Sequence, residues 1–535
     1  MNTWKQFRRL GTMLDCSRNA VPNVESVKAW IDLIADMGYT TLMLYTEDTY
    51  EVDGNPYFGY MRGRFSRQEL RQMDAYARSK DIELIPCIQT LAHMQGIRRW
   101  PEYEQRFDID DILLVGAEQV YVLIDRMFAS LAECFSSRIV HVGMDEAERL
   151  GRGRYLDQHG YQNSSDILLA HLKRVAEIGA KYGFSLLMWS DLFFKLSNGG
   201  TYYEKTEFSD VVKSQIPENV TLVYWDYYST DKEHYDQMIQ SHHKLERGSW
   251  FAGGMWSWVG FAPHNNYSIQ ALCAAMQSCR ENGVKDIFFT MWGDDGGECS
   301  PFSLLPSLFY ASELAHGNSD EQEIKRKFQT KFHIPFEDFM LLDLPGTPNM
   351  QDHMICNAEK YLLYQDCFMG LMDVYVMPGT GMQYHKCADR LSAVVQDQKW
   401  GYLFDTQRAL CEVLSLKAEL GVRTHQVYAN GDLQGLAELL TDYEEVEKRI
   451  KNFYEKFRQQ WFRERKPFGF EVQDIRLGGL MQRVRSCRER LQAFYDGKID
   501  RIEELEEKQM YISEGDTAGP VCFNSWKRNV SANII

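Results

Sequence analysis

Eight short apolar runs, each followed by a longer segment with helical spacing, fill residues 1–315 of this 535-residue chain. The runs are Gly11 to Asp15, Thr41 to Tyr45, Ile82 to Cys87, Arg138 to Val142, Ser185 to Met188, Thr221 to Trp225, Phe251 to Met255 and Asp286 to Met291. Between them, SVKAWIDLIADMG carries apolar residues on one helical face and stops at Gly38. FSRQELRQMDAYARSKD opens with Ser66 three residues before Glu69, the pattern of a capping box. SDILLAHLKRVAEIGAKYG and YSIQALCAAMQSCRENG repeat the design, each closed by a glycine. Strands alternating with helices pair in parallel. Eight such units in about 300 residues predict an α/β fold, a (β/α)8 TIM barrel. The third unit carries a long loop, residues 89–115, placed to cover an active site.

Beyond Ala315 the pattern changes. Residues 320–535 hold few strand-like runs and long amphipathic stretches such as GDLQGLAELLTDYEEVEKRIKNFYEKFRQQW and LMQRVRSCRERLQAFYDGKIDRIEELEEK. A chain of this length exceeds one ordinary core. The expected organisation is a catalytic barrel over residues 1–316 and a mostly α-helical C-terminal domain over 317–535. Heptad-like charge patterning allows a homodimer through the helical domain, although a solvated helical face accounts for the same charges.

The net charge of −17 argues against nucleic acid and anionic membrane as partners. No apolar run reaches the length of a membrane span, and the N-terminus lacks a signal-peptide pattern. The 12 cysteines are scattered without a C-x-x-C pair, so they read as reduced thiols, and a cytoplasmic location is expected.

Barrels of this kind place their chemistry at the C-terminal ends of the strands. Reading those ends in order gives Asp15 and Arg18; Tyr45, Glu47 and Asp48; Gln89 and His93; Asp145 and Glu146; Trp189 and Asp191; Tyr224, Trp225, Asp226, Tyr227 and Tyr228; Trp256 and Trp258; and Trp292, Asp294, Asp295 and Glu298. Carboxylates, aromatic rings and single His and Arg residues therefore gather at one rim. Carboxylates and Arg suit paired hydroxyls, and Trp rings supply apolar walls, which points to a carbohydrate. Glycoside cleavage needs an acid to protonate the departing oxygen, and Glu146 is the candidate. Asp145 beside it is free for a second task. The histidines are isolated, with no paired spacing at a strand end, so no metal and no cofactor are expected. Several rim residues have plainer readings. His141 reads as a hydrogen-bonded core histidine, Tyr45 and Trp100 as packing residues, Asp191 as a helix cap, and Asp295 as a turn residue.

The motif His141-Val142-Gly143-Met144-Asp145-Glu146, ending a fourth strand, resembles the His-x-Gly-x-Asp-Glu signature of glycoside hydrolase family 20, the β-N-acetylhexosaminidases. LYTEDTYE, PCIQTLAHM, VYWDYYS, GMWSW and MWGDDGGE extend the resemblance along the barrel, and the compact hexosaminidase D-like branch fits best. The resemblance implies hydrolysis of terminal β-linked N-acetylhexosamine from an oligosaccharide or glycoconjugate. It implies substrate-assisted catalysis, in which the 2-acetamido oxygen attacks the anomeric carbon and forms an oxazolinium ion. Glu146 would be the general acid and then base, and Asp145 would orient the acetamide N–H. Tyr224 or Tyr227 would donate to the acetamide oxygen. His93, paired with Glu47 or Asp48, would tune the acid. Trp189, Trp256 and Trp292 would wall the sugar, Asp294 or Glu298 would hold its O4 and O6, and Asp226 is counted with the substrate-binding group. Arg18, rather than Arg9, is expected to grip the sugar hydroxyls, because it lies at the catalytic end of its strand.

Two other readings are a retaining glycosidase with an enzyme carboxylate as nucleophile and a sugar-binding protein that has lost activity. The adjacency of Asp145 and Glu146 disfavours the former, and the intact acid pair disfavours the latter.

Overall fold

The computed structural model describes residues 7–198, 200–347 and 355–530. Its eight parallel strands are β1 (Arg9–Asp15), β2 (Thr41–Glu47), β3 (Glu83–Ile88), β4 (Ile139–His141), β5 (Ser185–Trp189), β6 (Val220–Asp226), β7 (Ser249–Gly254) and β8 (Asp286–Met291). They close into a barrel in chain order, with β8 returning to β1. The (β/α)8 expectation from the alternating pattern is therefore met. The helix after β1, Val24–Asp36, is capped by Asn23, whose side chain accepts from the Ser26 amide. The helix Arg67–Ser79 carries the full Ser66/Glu69 capping box.

Side chains alternate across each strand, and one parity fills the barrel interior. The interior residues include Met13, Met43, Tyr45, Ile85, Cys87, Leu187, Trp189, Val223, Ala252 and Phe288, with Trp225 and Trp292 packed against them. Neighbouring interior residues are in register, as in Met13 with Met43, Met43 with Ile85, Tyr45 with Cys87, and Cys87 with His141. The same parity, carried past the strand ends, selects which rim residues face inward.

The long loop after β3 is ordered. It contains the short helix Gln95–Arg98, a 3-10 turn over Pro101–Arg106, and an antiparallel ribbon of Phe107–Ile109 with Ile112–Leu113. Asp108 in this ribbon accepts from the amides of Gly151 (2.8 Å) and Tyr155 (2.7 Å), which ties the loop after β3 to the loop after β4.

The chain forms two compact units, and they interleave in sequence. The first comprises Met1–Met255, Ser268–Gly293 and Leu308–Ser319; the second comprises Trp256–Tyr267, Asp294–Ser307 and Asp320–Ile535. A single cut at residue 316 does not describe this division. The segments that leave β7 and β8 belong to the second unit, because its helices hold their backbone through buried polar contacts. Asn357 Nδ2 donates to the Val259 carbonyl (3.0 Å), and Gln407 Nε2 donates to that of Phe261 (2.7 Å). The two longest helices of the second unit, Leu433–Glu464 and Phe470–Tyr495, bury apolar stripes that include Leu439, Val446, Ile450 and Phe457 on the first and Leu477, Val484 and Leu491 on the second. The second helix ends at Tyr495, so RIEELEEK does not continue it and forms only a 3-10 turn at Glu503–Leu505. No described helix is long and apolar enough to cross a membrane.

Ile85 is fully buried in the barrel interior. Replacing it with Ala should destabilise the barrel by about 2–5 kcal/mol, read as a lowered urea midpoint of the barrel transition.

Candidate active site

β4 is short, and the chain turns sharply after it. Gly143, Met144 and Glu146 all have positive φ (71°, 70° and 53°). Glycine adopts such a backbone freely, but Met144 and Glu146 are held there against their preference. Glu47 and His93, at the ends of β2 and β3, share the same left-handed backbone (47° and 56°). Four strained non-glycine residues thus meet at one rim. Gly143 has a second reason to lack a side chain, since a Cβ there would sit 2.0 Å from Gln89 Oε1.

That glutamine organises the site. Gln89 Nε2 donates to Asp145 Oδ1 (2.8 Å) and to the Tyr45 hydroxyl (3.0 Å). Its Oε1 accepts from the Met144 amide (3.2 Å). Tyr45 donates in turn to Glu47 Oε1 (3.1 Å). Arg18 lies 3.8 Å from Glu47 and 3.5 Å from Asp15, at the catalytic end of β1. Asp15 also accepts from the Gly293 amide (3.0 Å) after β8. His93 Nε2 is 3.3 Å from Asp145 Oδ2 and 3.5 Å from Glu146 Oε2. The result is a continuous polar path from Arg18 through Glu47, Tyr45 and Gln89 to Asp145, His93 and Glu146. The Glu146 side chain is 55% exposed, while that of Asp145 is 14% exposed. Aromatic rings stand beside this path: Trp189 within 4.3 Å of the His141 ring, Trp292 edge-on to Tyr45 at 4.8 Å, and Trp225 stacked on Tyr227 at 5.3 Å.

The family model described as "Glycosyl hydrolase family 20, catalytic domain" matches residues 6–246, and that described as "Glycoside Hydrolase 20C C-terminal domain" matches residues 337–521. The chain belongs to glycoside hydrolase family 20. It is similar to hexosaminidase D of Bos taurus, at 22% identity over 242 residues, which cover 44% of this chain and 67% of the bovine protein. It is also similar to hexosaminidase D of Homo sapiens, at 24% identity over 222 residues, which cover 39% of this chain but only 43% of the human protein. A solved β-N-acetylhexosaminidase from Bacteroides fragilis NCTC 9343 superposes with a TM-score of 0.48 at 15% identity, covering 63% of this chain and 72% of that one.

The glycosidase pushes its two adjacent acids in opposite directions. Burial disfavours the charged form of Asp145, but the His93 charge beside it and the hydrogen bond from Gln89 outweigh burial and hold the carboxyl down to about 2. Glu146 is raised, first by burial and then by the Asp145 charge. Burial likewise disfavours a charged His93, yet Asp145 and then Glu47 outweigh it and push the imidazole up to about 10. His93, Asp145 and Glu146 offer ligand atoms within 4.8 Å of one another, the spacing of a metal site. The same three groups stand close enough to share a proton, since His93 Nε2 lies 3.3 Å from Asp145 Oδ2 and 3.5 Å from Glu146 Oε2. His141 is the opposite case: burial lowers it to about 3, and its neutral Nδ1 accepts from the Gly143 amide (3.1 Å).

Strand parity sorts the remaining candidates. Val223 and Trp225 face the barrel interior, and Tyr227 follows them. The Tyr227 hydroxyl hydrogen-bonds with the side chains of Trp292 and Thr290, and burial raises its proton affinity. Tyr224 and Asp226 have the other parity, so their expected sugar contacts are corrected. Tyr224 is buried against His242 and Phe251 and donates to Asp226 (2.9 Å), which also lies 2.7 Å from His234 and accepts from the Tyr228 amide (3.0 Å). The choice between Glu47 and Asp48 is resolved similarly. Glu47 joins the path and bears on His93, whereas Asp48 turns away to Arg62 at 3.0 Å. Glu298 is also corrected. It is buried in the second unit, 1% exposed, with one oxygen held by Lys360 and the other by Arg476, each at 3.0 Å. Trp256 and half-buried Asp294 belong to that unit as well, and Trp256 stacks on Trp258 at 4.1 Å.

Gln89, Tyr45, Trp225 and Asp191 complete the rim; the sequence placed all four at strand ends but gave none of them a site role, reading Tyr45 as a packing residue and Asp191 as a helix cap. Asp191 is fully buried, 3.5 Å from Trp225 Nε1 and 3.4 Å from Lys195, and burial followed by the Asp145 charge pushes it up to about 7. The signal that finds them is two-residue spacing from interior residues: Cys87 to Gln89, Val223 to Trp225, and Trp189 to Asp191.

The His93–Asp145 pair makes stability depend on pH in two windows. Asp145 is depressed below its ordinary 3.8, so its contribution is present above about pH 4 and lost as pH falls towards 2. His93 is raised above 6.5, so the contribution is complete below that value and lost as pH rises towards 10. The stability difference between the native protein and His93→Gln should therefore be widest between pH 4 and 6.5 and shrink on both sides. Urea midpoints across that range check this. A second expectation concerns Gln89→Leu, which removes the donor that orients Asp145. It should lower kcat by roughly 10- to 100-fold with the circular dichroism spectrum unchanged.

Proposed function

We propose that this glycosidase is a retaining exo-β-N-acetylhexosaminidase that releases terminal non-reducing N-acetylglucosamine or N-acetylgalactosamine by substrate-assisted catalysis. The observation that carries the reading is the split between Asp145 and Glu146. Two neighbouring carboxyls with proton affinities driven apart divide into a permanent anion and a proton carrier. Asp145, ionised, accepts the acetamide N–H and stabilises the positive charge that develops on that group. The acetamide oxygen then attacks the anomeric carbon while Glu146 gives its proton to the glycosidic oxygen, and the bond to the leaving group breaks. In the second half, Glu146 takes a proton from water as the water oxygen attacks the same carbon, and the oxazolinium ring opens. Tyr227 donates to the acetamide oxygen, and Trp189 and Trp292 flank the sugar. Arg18 grips its hydroxyls. His93, protonated between the two acids, keeps Asp145 charged and supplies positive potential to Glu146 when it becomes an anion. The names of the bovine and human relatives, hexosaminidase D, support the same activity. All twelve cysteines are free, which suits a reducing compartment such as the cytoplasm.

An enzyme carboxylate as nucleophile fits less well. The acid and nucleophile of such enzymes flank the scissile bond. Here Asp145 directly precedes Glu146 in the chain and is tethered by Gln89 and His93.

A panel of chromogenic N-acetyl-β-glucosaminide, N-acetyl-β-galactosaminide, β-glucoside and β-galactoside decides between them. Only the two N-acetylated substrates should turn over well, and a thiazoline analogue should inhibit. Equal rates on the plain β-glucoside would sink the proposal. Glu146→Gln should lose about 10²–10⁴-fold in kcat on substrates with poor leaving groups. Asp145→Asn should be comparably impaired even on activated aryl glycosides, because a misoriented acetamide cannot attack.

A further inference from the structure

Two neighbouring residues that follow β5, Ser190 and Asp191, are fully buried, and neither takes part in the bond-making steps. Both lead to Trp225, near the end of β6. Trp225 Nε1 donates to Asp191 Oδ1 (3.5 Å). The other oxygen of Asp191 lies 3.4 Å from Lys195 Nζ, which donates in turn to Glu148 Oε1 (3.2 Å). The Trp225 amide donates to the Tyr202 hydroxyl (3.1 Å) in the segment after β5. The Tyr202 hydroxyl and His242 Nε2 each lie 2.8 Å from Ser190 Oγ, and His242 Nδ1 is 2.7 Å from the Met238 carbonyl oxygen. The direction of this chain is fixed from its far end. His242 Nδ1 must carry a proton to meet a carbonyl, and burial lowers His242 to about 3, so its Nε2 is a bare acceptor. Ser190 therefore donates to His242, Tyr202 to Ser190, and Trp225 to Tyr202. All of these residues belong to the first unit.

Trp225 thus has its amide and its indole N–H fixed from two adjacent positions. Its ring packs against Tyr202 at 5.0 Å and stacks on Tyr227 at 5.3 Å, with 30° between the planes. The Tyr227 oxygen is engaged by the side chains of Trp292 and Thr290. An indole N–H can only donate, so Trp292 leaves the Tyr227 proton for an acceptor. The aim of that proton depends on the plane of the Tyr227 ring, and the ring it stacks on is Trp225. A displacement of about 1 Å near a reacting group is enough to cost roughly 100-fold in rate.

We propose that Asp191 is a positioning residue: by holding the Trp225 indole it sets the plane of Tyr227, so that the Tyr227 hydroxyl meets the acetamide oxygen. The Tyr202–Ser190–His242 chain holds the same tryptophan by its backbone. The proposal rests on the hexosaminidase reading and deepens it, since it gives a buried carboxyl after β5 a part in recognising the acetamide. Burial and then the Asp145 charge push Asp191 up to about 7. What the indole needs from it is an accepting oxygen, whether or not that oxygen is charged.

The test is a double-mutant cycle in the full chain, read as kcat and KM on an aryl N-acetyl-β-glucosaminide. Asp191→Leu should lower kcat by roughly 10- to 100-fold with KM changed by less than about threefold. Asp191→Asn keeps an oxygen for the indole and should recover most of that loss. Tyr227→Phe should lose at least as much kcat as Asp191→Leu. In the Tyr227→Phe background, Asp191→Leu should cost no more than about twofold further, because the group it positions is gone. A residue that only supports the fold, or that acts on Asp145 by charge, would keep its full effect there. If Asp191→Leu does not fold, Trp225→Phe runs the same cycle, since it removes the indole N–H and keeps a ring against Tyr227. A folded Asp191→Leu or Trp225→Phe protein with native kcat overturns the proposal, and so does a loss that multiplies with that of Tyr227→Phe. A Tyr227→Phe protein with native kcat overturns it as well. A native protein inactive on every N-acetylated substrate sinks the hexosaminidase reading and the proposal with it. That measurement comes first, so the two failures are told apart.

Discussion

Closure of eight parallel strands into a barrel is the constraint on which the rest of the site depends. A closed barrel has room inside for one parity of side chains. That parity is set by residues such as Met13, Met43, Ile85 and Phe288, which pack at the centre. Once they point inward, Gln89, Asp191 and Tyr227 follow at two-residue steps past the strand ends. Tyr224 and Asp226 are sent to the outer layer by the same rule. This rim is thus an extension of the core pattern, with polar and aromatic groups in place of apolar ones.

The electrostatics of the rim come from unequal burial. Asp145 and Glu146 are neighbours in sequence, yet one is enclosed with a hydrogen-bond donor and a cation while the other reaches solvent. The positive φ values of Met144 and Glu146 are the backbone cost of pointing both acids to one place. Ordinary strand geometry would send adjacent side chains to opposite faces. Strain at Glu47 and His93 serves the same end, bringing side chains from the ends of β2 and β3 to the acids from β4.

The helical unit supplies a different kind of constraint. One set of its buried ions, Lys360, Arg476 and Glu298, forms a cluster, which is the condition under which charges tolerate burial. Such pairs are sensitive to geometry and resist sliding, unlike apolar contacts. The interleaving of the units in sequence follows from this: the segments after β7 and β8 are covalently part of the barrel but are held by the helices.

Much of the fold was legible in the sequence. The eight apolar runs, the capping box at Ser66 and the glycine stops are local signals, and local signals survive without tertiary information. The Asp145–Glu146 pair was legible because its chemistry and its place after a fourth strand coincide in one hexapeptide. What the sequence could not show is direction. It could not tell Tyr227 from Tyr224, because a one-residue shift of strand phase exchanges them and both are aromatic. It offered Glu47 and Asp48 equally, and only the turn after β2 sends one to the site and the other to Arg62. It named Glu298 as a sugar ligand because an acid near a strand end looks available, whereas Lys360 and Arg476, 62 and 178 residues further along, occupy it. The sequence by itself determined which elements form and which residues carry reactive groups, since these depend on neighbours in the chain. Only the tertiary structure decided which of those groups face the same space, because burial, parity at a closed barrel and partners distant in sequence set each side chain's direction and charge.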